Sequence, residues 1–132
     1  MRADRLDRWL SFVAILHVIG GLALPFLLLR SAALDGLLPA ESADARLAYA
    51  LFGPTVASWG LLMLFLVQYG LRNGQIWAAN ALIAGILIWV PLDTALCYVH
   101  GWHGAVALNA AASAAILIPA LWRRVQLGRR SS

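Results

Sequence analysis

Residues 75–98 read QIWAANALIAGILIWVPLDTALCY, and the only charged side chain in that run is Asp93. A helix rises about 1.5 Å per residue, so a run of this length reaches across the roughly 30 Å hydrocarbon core of a bilayer. Working outward, the same reading finds three more runs, at residues 9–29, 45–69 and 105–122. Together they take up nearly all of the 132 residues, which are 62% hydrophobic and 12% charged, with a mean hydropathy of +0.79. A water-soluble domain this small could not bury so much apolar surface. The expected fold is an all-α, integral-membrane, antiparallel four-helix bundle, with residues 1–132 forming a single domain. The first run is too long for the apolar region of a cleavable signal peptide, and no small-residue cleavage site precedes Leu27-Leu28-Leu29-Arg30.

Charge placement sets the expected orientation. The net charge is +4, and all ten basic residues are Arg. Arg2, Arg5 and Arg8 precede the first run, Arg72 lies between the second and third, and Arg123, Arg124, Arg129 and Arg130 follow the fourth. Four crossings put these on one side and leave Arg30 and Arg46 opposite. The positive-inside rule then places both termini in the cytoplasm. The arginines read as topology determinants that touch anionic lipid headgroups, with membrane lipids as partners and no nucleic acid. Trp9, Trp77 and Trp122 mark the headgroup level. The lone Cys97 excludes an intramolecular disulfide and any CxxC metal or redox motif.

Short connections make neighbouring runs antiparallel hairpins. Residues 70–74 and 101–104 read as tight turns, and Pro91 is expected to interrupt the third run. In the longest loop, Asp35-Gly36 is a turn signal, Pro39 breaks any helix and Ser42 suits a helix N-cap; Arg46 is placed to pair with Glu41 and Asp44. In the first run His17, Gly20, Gly21 and Leu24 share a face, and the glycines invite a neighbouring backbone to approach. Close packing is also expected along Ala110 to Ala115.

Asp93 is the residue most open to a chemical reading. An intramembrane carboxylate costs about 2.5–3.5 kcal/mol on insertion scales, so it should face the bundle interior and find a partner. Asp93, Cys97 and His100 recur at helical spacing. Asn109 and Ser113, an i, i+4 pair on the fourth run, lie at similar depth, as does Thr55 on the second. Trp59 and Trp89 could supply flat apolar walls, and His17 could enter from the other side as a partner of Asp93. The expected ligand-binding set is therefore Asp93, Asn109, Ser113, Thr55, Trp59, His17 and Trp89 around an outer-half cavity. The plainer alternative makes Asp93 an interhelical hydrogen-bonding group and His17 a satisfied core histidine.

No metal site is expected, because His100-Gly101-Trp102-His103 and one distant Asp offer too few ligands for closed zinc coordination. No cofactor is expected either. Haem held by His17 with His100 or His103 would need imidazoles at one depth, and these sit at different levels. Gly-rich phosphate loops, HExxH and paired carboxylates do not occur.

One pattern runs along the whole chain: His17 in the first run, Trp59-Gly60 in the second, Trp89-x-x-x-Asp93-Thr94, then Gly101 and Asn109. It resembles small bacterial four-helix membrane proteins of a broadly DoxX-like kind. That resemblance implies a four-helix membrane bundle and no settled activity. More faintly, the pattern is similar to eukaryotic membrane bundles that enclose a sterol-like ligand over acidic residues. Those isomerases use more than the single intramembrane acid expected here.

Three functions fit this reading. The first is a bundle that binds a small or lipid-like molecule around Asp93. The second is a non-catalytic accessory subunit of a larger membrane complex, or a homo-oligomer, with Asp93 joining helices. The third is a membrane enzyme acting on a lipid or isoprenoid, with Asp93 and His17 as acid and base.

Overall fold

Two glycines in the left-handed region, Gly74 at φ 73° and Gly101 at φ 74°, turn the chain sharply where side chains other than hydrogen would be strained. A computed structural model describes residues 3–30 and 43–129. Its helices are α1 (Ala3–Arg30), α2 (Ala43–Phe65), α3 (Ile76–Val99) and α4 (His103–Gly128), and α2 winds on as a π-helical segment over Leu66–Leu71. The turn and cap expectations for residues 31–42, and the pairing of Arg46, lie outside the described residues. α1 begins six residues before its expected span and α4 ends six residues after its own, because polar ends can remain helical while they project toward headgroups; α3 matches its expected span to within one residue.

The architecture is the expected all-α four-helix bundle. α1 packs along α2 and touches α4, α3 packs along α4, and α3 meets α2 mainly through the π-helical end. The buried apolar cluster includes Leu10, Met63, Val67, Leu82, Ile86 and Ile116. These come from the first half of α1 and α3 and the second half of α2 and α4. The core therefore sits toward the end of the bundle that carries both termini, called here the terminal end. Large side chains elsewhere face outward: Phe26, Leu51, Ile88 and Leu92 are each at least 66% exposed. In water such a surface would aggregate, whereas in hydrocarbon it is the solvated one. All four helices are long and apolar enough to cross a membrane.

Small residues bring α1 and α2 together. A Cβ added to Gly60 would lie 2.7 Å from the His17 Cβ, and one added to Gly53 would lie 2.5 Å from the Gly21 carbonyl oxygen. Ala57 fits between them on α2, against Gly21. Gly20, expected on the same seam, faces open space instead. The helix turns about 100° per residue, and Gly21 alone falls on the α2 side. Ala110, Ala111 and Ala114 are likewise exposed, so the close contact expected along this stretch of α4 narrows to Ala112, Ser113 and Ala115.

Every helix contains a proline and none breaks, including α3 at Pro91. A proline leaves the carbonyl four residues earlier without its helical donor. In α4 that carbonyl belongs to Ala115, freed by Pro119, and the Trp9 indole of α1 donates to it at 2.9 Å. In α1 the freed carbonyl is that of Gly21, and it lies against Gly53 of α2, where only a hydrogen leaves it room. In α4 a neighbouring helix thus supplies the donor that the proline removes.

Candidate functional site

One face of α4 carries Asn109, Ser113, Ile116, Ala120, Arg123 and Leu127, all buried. Their spacing of three or four residues makes a single stripe that looks into the bundle. The stripe is apolar in the middle and polar toward both ends. Asn109 and Arg123 are 14 positions apart, about 21 Å along the axis. Two buried polar layers result, separated by the apolar core.

The far layer is built on Asp93. This residue follows Leu82 by eleven positions and Ile86 by seven, so it continues the inward stripe of α3. Asn109 of α4 donates its Nδ2–H to Asp93 Oδ2, and Ser113 Oγ donates back to the Asn109 carbonyl. Cys97 Sγ lies 4.0 Å from the same carboxylate oxygen. Asp93 is half-buried, Asn109 and Ser113 are buried, and Thr94 Oγ1 is buried without a hydrogen-bond partner among the described residues. Of the expected site, Asp93, Asn109 and Ser113 come together, and Cys97 joins them.

The other expected members lie elsewhere. Thr55 is exposed on α2, on the opposite side of the helix from the Gly53, Ala57 and Gly60 seam. Trp59 reaches across to α3 and covers Gly85, eight positions or about 12 Å before Asp93. Trp89 is half-buried against the core, one turn before Asp93. His17 packs on Gly60, and its Nδ1 is 2.8 Å from the Val13 carbonyl of its own helix. An acid–base pair of His17 and Asp93 is therefore not assembled. His100 and His103 are exposed at the far turn; His100 Nδ1 sits 2.8 Å from the Leu96 carbonyl, and His103 packs edge-on to Tyr98. Among the described residues, no three or more His, Cys, Asp or Glu side chains gather as metal ligands.

The terminal layer was not anticipated. Arg123 donates through Nε to Asp7 Oδ1 at 2.9 Å and through Nη2 to Asp7 Oδ2 at 3.1 Å. Nη2 also reaches the Leu71 carbonyl at 2.8 Å, at the end of the π-helical segment. Both side chains are about 95% buried. Ser11 donates to the Asp7 carbonyl at 2.8 Å, and Gln68 approaches Ser11 at 3.5 Å. This corrects the reading of Arg123, which is no headgroup contact, and Asp7 on α1 is buried with it. Asp93 is accordingly not the sole acid within the helical spans. The available signal was the α4 stripe, which puts Arg123 on the face of Ile116 and Ala120, while Asp7 precedes Leu10 and Ala14 at helical spacing. Arg5, Arg8, Arg72, Arg124 and Arg129 are exposed, as expected of interfacial arginines.

Fold and polar layers together define a multi-pass α-helical membrane protein. Comparison with known proteins finds no matching family model, no matching curated protein and no matching solved structure.

Proposed function

We propose that this protein binds a small, lipid-like molecule at the Asp93 layer, through a hydroxyl or ammonium group on that molecule. The observation behind this reading is the incomplete hydrogen bonding of the layer. Asn109 occupies one carboxylate oxygen, while at the next position along α3 Thr94 Oγ1 is buried and, among the described residues, unpartnered. A buried polar group without a partner costs about 1–3 kcal/mol, and a ligand supplying that partner would relieve the cost. Trp89, one turn away, offers an apolar wall for the rest of such a molecule.

The setting we infer is the cytoplasmic membrane of a bacterium, with the terminal end and its exposed arginines in the cytoplasm. The DoxX-like resemblance is compatible with that setting. The binding layer then belongs to the outer leaflet.

Native mass spectrometry of gently extracted protein tests the proposal. A small molecule should accompany the wild type and be lost from Asp93→Asn, which keeps the shape and the hydrogen bond from α4. The reading fails if the adduct persists in Asp93→Asn at wild-type abundance. Co-purifying protein chains without a small molecule would favour an accessory subunit instead.

A further inference from the structure

The wall between α2 and α3 contains a second feature, independent of Asp93. On the terminal side of Trp59, a groove of ≈ 430 Å³ opens between the two helices, lined by Leu62, Phe65 and Tyr69 of α2 and by Trp77 and Ala81 of α3. That volume falls within the roughly 300–1,000 Å³ typical of small-molecule sites. Trp59 closes the groove deep in the bundle by lying over Gly85. From Trp59 to Tyr69 is ten positions, about 15 Å, or half of a ~30 Å hydrocarbon core. The groove therefore has the length of one leaflet's acyl chain.

Its mouth has the chemistry of a headgroup site. Tyr69 stacks on Phe65 at 5.6 Å, and with Trp77 it places amphipathic rings where chain gives way to headgroup. Arg72 stands in the turn joining the two lining helices, three residues after Tyr69 and five before Trp77. It is exposed, and among the described residues its guanidinium has no hydrogen-bond or ion-pair partner. Arg124 is already bonded to Asn80, which does not line the groove, whereas Arg72 stands in the turn between the two lining helices.

We propose that this groove holds one acyl chain of an anionic membrane phospholipid whose phosphate is bound by Arg72. Chain length, aromatic lining and a free cation at one end all match that occupant. A zwitterionic lipid satisfies only the first two.

The full chain in detergent, titrated with phosphatidylglycerol or with phosphatidylcholine of the same acyl chains and followed by native mass spectrometry, tests this. Wild type should retain phosphatidylglycerol about fivefold better, the effect of one surface arginine. Arg72→Gln should abolish the preference and leave the chain site intact. Ala81→Phe, at an exposed position, should fill the groove and lower retention of both lipids about tenfold. Leu62→Trp fills it from α2 and guards against one variant failing to fold. Equal retention of the two lipids by wild type overturns the proposal. So does phosphatidylglycerol retention unchanged in folded Ala81→Phe and Leu62→Trp, or a dimer that both substitutions disrupt without any lipid adduct.

Discussion

Arg123 shows how much a single buried cation can organise. Its fork takes both oxygens of Asp7 and still reaches the Leu71 carbonyl, so one side chain ties together three segments of the bundle. Removing one member of a buried pair leaves the other charged and unaccompanied, at a cost of about 3–5 kcal/mol. Asp7→Ala and Arg123→Ala should each destabilise by that order in reversible denaturation in detergent. The double replacement Asp7→Leu with Arg123→Met should recover most of the loss, since apolar substitutes of similar volume need no partner. Trp9 offers a finer test. Its indole matters because Pro119 has stripped the Ala115 carbonyl of a donor, so Trp9→Phe should cost about 1 kcal/mol. In a Pro119→Ala background the helix supplies its own donor, and a double-mutant cycle should show the Trp9 effect shrinking. An unchanged Trp9→Phe cost in that background would show that the indole acts through packing alone.

Among the elements, α1 and α2 are joined by absence of side chain. Gly21, Gly53 and Gly60 admit backbone where a methyl group would collide, so Gly53→Ala or Gly60→Ala should destabilise the pair by about 1–3 kcal/mol. Gly20→Ala, facing open space, is the control and should be neutral or slightly stabilising in the same denaturation measurement. The terminus of α2 is equally tight, because a Cβ on Gly70 would collide with that of Ala78 on α3. The π-helical winding just before it inserts extra backbone per turn, and Arg72 N–H bonds the Val67 carbonyl five residues back at 3.1 Å. No sequence signal announced that segment. Leu66 to Leu71 is mostly apolar and continues the span, and a widened turn differs from an ordinary one only in how tertiary contacts use its carbonyls. The four spans, by contrast, were legible because their length and polarity are set by the bilayer, which acts alike on every residue in them. The tight turns were legible because glycine at positive φ has few substitutes.

For the whole molecule, the arginine count predicts the terminal end on the cytoplasmic side. In a Cys97→Ser background, Arg72→Cys should react with a membrane-impermeant maleimide only after cells are opened, and His103→Cys, exposed at the far turn, should react in intact cells. The reverse pattern would invert the bundle. Legibility at this scale was mixed for a physical reason. Asp93, Asn109 and Ser113 could be grouped because depth and helical phase are both readable from sequence. His17, Thr55 and Trp59 were assigned by depth alone, and their azimuth sent them to Gly60, to the outer surface and to Gly85. Arg123 was misread because net charge near a span end resembles a topology signal, whatever face it occupies. The bonds between α1 and α4 carry one more implication. Arg123 to Asp7 and Ala115 to Trp9 fasten the two helices at points eight positions apart on α4, about 12 Å. Sliding either hairpin by one turn, about 5.4 Å, would part both fastenings at once and strand two charges among lipid tails. Hairpins inserted separately could therefore meet at many heights but settle at only one, as a key seats in a lock whose wards are spaced to refuse every neighbouring notch.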